Sequence, residues 1–335
     1  MTMDKYFTQV KIDDPGWHIT YKDKLMMVGS CFSENIGERF QQLKFQVDLN
    51  PFGIVYNPLS VAKSLRRFLV EKPYTKEDLF EHQGIWGSFD HHSRFSATSA
   101  EETLEKINDR LERSRIFLRD TAYLFITLGT AWIYELKATG MIVSNCHKFP
   151  ESDFRRFRLT AGEIVDVYRD LLPALWAFNP NLNIVFTVSP IRHSKDGATG
   201  NQLSKSVLLL AVDRLITGFG NEHCAYFPAY EIMMDELRDY RFYAADLLHP
   251  NQVAIDHIWD KFSRSMIAED SLRLSKSIMK IVKATEHRPF NPDADAYKYF
   301  LLNNLNEINE LTITFPYINM EDEKMFFEHE LQEYH

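Results

Sequence analysis

Short apolar runs, each closed by a Gly, Ser or Pro, recur along this chain with segments of helical period between them. That alternation leaves few folds open. A short run of β-branched, aromatic and aliphatic residues reads as a strand buried on both faces. Parallel neighbours of that kind can be joined only by crossovers, so the intervening helices must cover a parallel sheet. Leu25 to Val28, Ala122 to Thr127, Ile184 to Val188 and the weaker Ala225 to Phe227 are the predicted strands. Predicted helices run near Glu34–Leu43, Leu59–Val70, Ala100–Phe117, Thr160–Ala177, Gln202–Thr217 and Val253–Met266. The fold class is therefore α/β, with helices on both faces of a doubly wound parallel sheet.

Two segments break this rhythm. Trp132 to Lys148, with Trp-Ile-Tyr-Glu-Leu, Ala-Thr-Gly and Met-Ile-Val, predicts a hairpin inserted beside the third strand. Beyond Ile281 the Pro-containing stretch His287–Pro292 punctuates the chain, and Tyr297, Phe300, Leu301, Leu305, Ile308 and Leu311 then recur at helical spacing. The expected organisation is an α/β domain over residues 1–280 and a C-terminal helical appendage over 281–335, docked on it. The alternative roles for that appendage are a homodimer contact or a lid.

With 335 residues, 45% of them apolar and 25% charged, the chain can bury a substantial core. A net charge of −9 argues against nucleic acid as a partner, because binding the phosphate backbone needs a positive field. No run approaches the roughly 18 apolar residues a membrane span needs, and the first residues carry no basic-then-apolar leader, so a cytoplasmic protein is expected. Its cysteines, Cys31, Cys146 and Cys224, are too few for a disulfide framework.

Chemistry in a doubly wound sheet gathers beyond the carboxyl ends of the strands. There the first predicted strand runs into Gly29-Ser30-Cys31. Gly29 permits a tight exit, and the residues after it can present an Oγ or Sγ at the N-terminus of a helix beginning near Ser33–Glu34, where a thiolate or an oxyanion is favoured. Equally, Ser30 or Ser33 can simply cap the helix while Cys31 packs in the core. Far downstream, Asp246-Leu-Leu-His249 places a carboxylate and an imidazole three residues apart, with Pro250 suited to start the next helix. A nucleophile needs a base, and the base needs an orienting carboxylate; these two supply both.

The residues also resemble the GSCFA family. Gly29 to Ser33 is close to the motif behind that name, and the likeness continues through Asn50–Pro58, Trp86–Ser93, Leu128–Trp132, Ser189–His193 and Asp246–Pro250. The resemblance implies kinship with the SGNH, or GDSL, hydrolases: a flavodoxin-like sheet and action on ester-linked acyl groups, often on carbohydrates or lipids, by hydrolysis or by acyl transfer. On that pattern the nucleophile's place falls on Cys31, with Ser30 as the alternative, and His249 and Asp246 complete the set. The glycine that donates a backbone N–H to the oxyanion falls on Gly53. The glycine-x-asparagine block falls on Gly129-Thr130-Ala131, so the asparagine amide is missing. Thr130, the Trp132 indole N–H or Asn57 is expected to replace it, or else the chain is a non-catalytic binding module.

Other clusters carry weaker signals. Asp90-His91-His92-Ser93, Asn145-Cys146-His147-Lys148 and His223-Cys224 contain metal-capable side chains, but no CxxC or HExxH spacing occurs. No metal or cofactor is expected. His92 and His147 are candidates to line the acyl pocket, with surface loops as the alternative, and Arg192 could bind an anionic group or brace its loop. Asn201 is expected to cap a helix and Lys205 to face solvent. The aromatics of Phe227–Glu231 and Arg238–Tyr243 lead towards Asp246 and either wall the pocket or pack in the core.

Overall fold

The computed structural model describes residues 8–220, 222–290 and 295–333. Its centre is a parallel sheet of β1 (Lys24–Gly29), β2 (Gln46–Leu49), β5 (Thr121–Leu128), β9 (Asn183–Val188) and β10 (Cys224–Tyr226). Across the sheet the order is β10-β9-β5-β1-β2. The chain therefore starts in the interior, steps one way to β2, and returns past β1 to build the other half, which is the flavodoxin-like order. Its reversal lies between β1 and β5, whose residues pair from Lys24 with Thr121 to Gly29 with Thr127.

Strand alternation sorts the core into two layers. Met26, Val28, Leu124, Ile126, Ile184 and Phe186 face one way. There they meet α2 (Pro58–Phe68), α3 (Ala100–Arg119), α4 (Ala161–Phe178) and α5 (Gly197–Phe219). Leu25, Met27, Tyr123, Phe125 and Val185 face the other way. They pack on α1 (Cys31–Gln42) and α7 (Gln252–Met266). The C-terminal helices α8 (Glu269–Ala284), α9 (Asp295–Thr314) and α10 (Glu321–Glu333) extend this second layer. Ile278, Leu301, Ile308 and Phe327, all fully buried, carry it.

Several elements differ from the sequence expectation. The inserted hairpin, β6 (Trp132–Leu136) and β7 (Met141–Val143), gains a third antiparallel strand, β8 (Phe154–Arg158), giving the order β7-β6-β8. A small hairpin, β3 (Phe80–His82) with β4 (Ile85–Gly87), and the edge strand β2 were not expected, because each is short and mixed in polarity. Helix α5 begins at Gly197 rather than Gln202, so Asn201 lies inside it and accepts from the His193 N–H at 3.0 Å instead of capping. A turn of helix, α6 (Ala229–Glu231), follows β10. Pro250 does not start α7; Asn251 caps that helix by accepting from the Ala254 N–H. Among the described residues no helix is long and apolar enough to cross a membrane.

Candidate active site

The turn after β1 is shaped by close contact with β5. Gly29 has φ +147°, and a Cβ there would lie 2.3 Å from the Thr127 carbonyl oxygen, so only glycine fits. Its N–H donates to Asn50 Oδ1 at 3.0 Å, and its carbonyl accepts from Val55 N–H at 3.0 Å. The turn is thus tied to the loop after β2. Ser30, 4% exposed, is the N-cap of α1, its Oγ accepting from the Phe32 N–H at 3.2 Å. Cys31 is the first residue of α1 and is partly exposed. Ser30 therefore caps the helix, while Cys31 next to it is only partly buried rather than enclosed in the core.

Cys31 Sγ lies 3.7 Å from His249 Nε2. The other ring nitrogen, Nδ1, lies 2.6 Å from Asp246 Oδ2. Asp246 also accepts, through Oδ1, from the Leu248 and His249 N–H groups at 2.9 and 3.0 Å. The backbone bends sharply here, with Leu247 at φ +58°. The two backbone N–H groups and the imidazole hold the Asp246 carboxyl down to about 2, so it stays ionised at any ordinary pH. Burial, helped by the Glu34 carboxylate, pushes the Cys31 thiol up; the N–H groups of Cys31 and Phe32, at the start of α1, and, least of all, the Lys205 ammonium pull the other way.

The chain matches the model of the GSCFA family over residues 24–262 and that of the GSCFA domain protein, C-terminal domain, over residues 278–333. It belongs to the GSCFA family. No curated protein matches it. Among solved structures, a carbohydrate esterase family 3 from Talaromyces cellulolyticus aligns at 10% identity with a TM-score of 0.35, covering 76% of this chain and 98% of that one. An acetyl xylan esterase from the rumen bacterium Butyrivibrio proteoclasticus aligns at 12% identity with a TM-score of 0.37, covering 73% of this chain and 65% of that one.

Several side chains expected around the site of this GSCFA protein are committed elsewhere. Gly53, at φ +78°, sits against His92, and its N–H donates to the Asn50 carbonyl at 2.8 Å, so it is not free for an oxyanion. Gly129 N–H is likewise taken, by the Tyr56 carbonyl at 2.7 Å. Asn57, 3% exposed, caps α2: its Oδ1 accepts from Ser60 N–H and its Nδ2 donates to Ser60 Oγ, both at 2.9 Å. The Thr130 hydroxyl pairs with Ser204 Oγ at 2.9 Å, and the same Ser204 oxygen accepts the Ala131 N–H. His92 Nδ1 accepts from the Arg94 N–H at 3.3 Å. His147 is wedged between Phe80 and Phe89, with Nε2 2.9 Å from the Ser88 carbonyl. Of the expected donor side chains, the Trp132 indole N–H is the one without a partner among the described residues, with the Arg156 guanidinium 4.3 Å from the ring. Arg192 braces the His249 loop: its backbone N–H donates to the Leu248 carbonyl and its guanidinium sits 4.3 Å from the Tyr243 ring. Tyr243 itself is buried in the core layer, as is Phe227.

The metal-capable clusters disperse. Asp90 pairs with Lys63 and Tyr74, and His91, 2% exposed, stacks on Phe52. Among the described residues no three His, Cys, Asp or Glu side chains converge as a metal site.

Two residues that sequence reasoning passed over stand at the site. Asn50, fully buried at φ +43°, receives the Gly29 N–H, while its Nδ2 has no partner among the described residues. Lys205 was expected to face solvent; it is 0% exposed, and its ammonium donates to the Gly129 and Ser189 carbonyls, each at 2.6 Å. The signal was available for the lysine. Ser204, Leu208, Ala211, Val212 and Leu215 form the buried stripe of α5, and Lys205 is three residues from Leu208 on that same face.

Proposed function

We propose that this chain is an acyl hydrolase or acyltransferase in which Cys31 attacks an ester carbonyl, His249 moves the proton and Asp246 orients the imidazole. The observation that carries the reading is the relay from Cys31 Sγ, 3.7 Å from His249 Nε2, through the ring to Asp246, 2.6 Å from Nδ1. His249 takes the thiol proton, and the thiolate adds to the acyl carbon, forming a C–S bond as the carbonyl electron pair moves to oxygen. Collapse of that adduct breaks the ester C–O bond, and the imidazolium returns the proton to the leaving alkoxide. A thioester remains. Water deprotonated by His249 then adds, the C–S bond breaks, and the acid departs; a sugar hydroxyl in place of water gives transfer. The oxyanion is served by the N–H of Cys31, which as the first helical residue has no intrahelical acceptor.

Ser30 is the weaker nucleophile, since its Oγ is buried and accepts the cap hydrogen bond. A binding module without turnover is the second reading. What favours it is the engagement of the Gly53 and Gly129 N–H groups and of the Asn57 amide, with Ala131 where the pattern has asparagine.

The test is hydrolysis of p-nitrophenyl acetate by the wild-type chain and by Cys31→Ala and Ser30→Ala. Turnover that falls about 10³-fold or more in Cys31→Ala, the scale of losing a triad member, supports the assignment. Turnover that survives in Cys31→Ala and vanishes in Ser30→Ala moves the nucleophile to Ser30. An inactive wild type that still binds an acylated sugar favours the module.

A further inference from the structure

The loop that carries His249 borders a small cavity. Arg192, in the loop after β9, donates its backbone N–H to the Leu248 carbonyl at 3.3 Å, and Tyr243 pairs as an isolated β-bridge with Pro250. The same two residues, with Met233, Leu237, Arg238 and Tyr240, line a cavity of about 210 Å³. At roughly 30 Å³ per water, that is room for about seven waters and too little for a drug-sized ligand. Its occupant is small.

The walls define its chemistry. Met233 and Leu237 are buried, and the Tyr243 and Tyr240 rings stand 4.3 and 5.8 Å from the Arg192 guanidinium. Ring faces order a guanidinium without neutralising it. The Asp239 carboxylate, also on the cavity wall, is engaged by Arg241, through its backbone N–H at 2.9 Å and its guanidinium at 3.6 Å. No carboxylate pairs with Arg192 or Arg238 among the described residues. Two uncompensated positive groups thus border an apolar hollow, in a chain whose net charge is −9.

Holding the His249 loop does not require these side chains. The tie to Leu248 uses the Arg192 backbone, which any residue but proline supplies, and Arg238 is exposed. Met233 comes from a π-helical turn, Ile232–Glu236, a rare form that recurs at functional sites.

We propose that this cavity is a binding site for a compact organic carboxylate, its charge met by Arg192 and Arg238 and its short hydrocarbon body laid against Met233, Leu237 and the tyrosine rings. A guanidinium presents paired N–H donors that match a carboxylate. The apolar wall favours a short-chain acid over phosphate, which has no apolar body to bury. Because Arg192 and Tyr243 both wall the cavity and hold the His249 loop, an occupied cavity stabilises that loop.

The experiment is calorimetric titration of the full chain with sodium butyrate at constant ionic strength, paired with amide hydrogen exchange over residues 238–251. Wild type should bind butyrate, and binding should slow exchange in that segment. Arg192→Gln and Arg238→Gln should each weaken binding about tenfold, the scale of one charge-assisted hydrogen bond. Arg238 is exposed, so its variant keeps the fold and the test survives if Arg192→Gln does not. Butyramide, with the shape but no charge, and inorganic phosphate, with charge but no tail, should each bind at least about tenfold more weakly than butyrate. No butyrate binding to wild type, equal affinity in folded Arg238→Gln, or phosphate or butyramide binding as tightly as butyrate overturns the proposal. So does binding that leaves exchange over residues 238–251 unchanged, for the anion then sits elsewhere. Ester turnover enters none of these measurements, so the fate of the Cys31 assignment does not alter their outcome.

Discussion

Asp246 and His249 keep 45% and 47% of their side chains in water, whereas Ser30, Asn50 and Lys205 around the Cys31 turn are 4%, 0% and 0% exposed. The His249 imidazole is oriented by local hydrogen bonds within a span of four residues, Asp246 to His249, and its loop is tied to the rest of the fold by the Arg192 N–H to the Leu248 carbonyl. The Cys31 turn and the loop beside it are held by contacts far apart in sequence: Gly29 to Asn50, Gly29 against Thr127, and Lys205 to Gly129. Exposed charges and hydrogen bonds contribute little to stability, while buried ones are costly to disturb. Substitutions in the Asp246–His249 half should therefore leave stability near that of wild type, and substitutions in the buried half should change it.

The largest expected effect separates those halves. His249→Ala should lower acyl turnover about 10³-fold or more while leaving urea unfolding within about 0.5 kcal/mol of wild type. A large stability loss there would erase the contrast. Gly29→Ala places a methyl group against the Thr127 carbonyl at a φ that L residues avoid. It should cost about 3 kcal/mol in the same unfolding measurement.

A pH experiment sharpens the comparison further. The Lys205 ammonium is held at about 7 in the fold against an ordinary 10.5. Between those values the unfolded chain binds the extra proton, so this group's burial cost is full below pH 7 and fades as pH rises. Wild-type stability measured relative to Lys205→Met should thus increase by about 2 kcal/mol from pH 7 to pH 9. The Asp246–His249 loop should show no matching trend there, since its carboxyl, at about 2, is ionised throughout. The smallest effect is Asn57→Ala. Loss of the α2 cap should cost about 1 kcal/mol with acyl turnover unchanged within about twofold, whereas a large loss of turnover would restore Asn57 as an oxyanion donor.

How much of this was legible in the sequence depends on how local each signal is. Strands β1, β5 and β9 are buried on both faces and read as unbroken apolar runs, and Gly29 and the Asp246–His249 spacing declare themselves within a few residues. Edge strand β2 escaped because Gln46-Val-Asp-Leu mixes polarity, its Asp48 being buried against Arg110. The hydrogen-bond partners of the Gly53 and Gly129 N–H groups and of the Asn57 side chain were not legible, because loop geometry sets them and spacing does not encode it. Lys205 was misread by charge alone, although its place on the α5 stripe pointed inward.

The central claim is that Cys31 becomes acylated through His249. Intact-mass and peptide-mass analysis after brief exposure to an activated acetyl ester tests it directly. The account predicts one acetyl group on the peptide carrying Cys31 in wild type, none in Cys31→Ala, and strongly slowed labelling in His249→Ala. Acetyl on Ser30 in wild type, or labelling of Cys31 that is indifferent to His249→Ala, would contradict it.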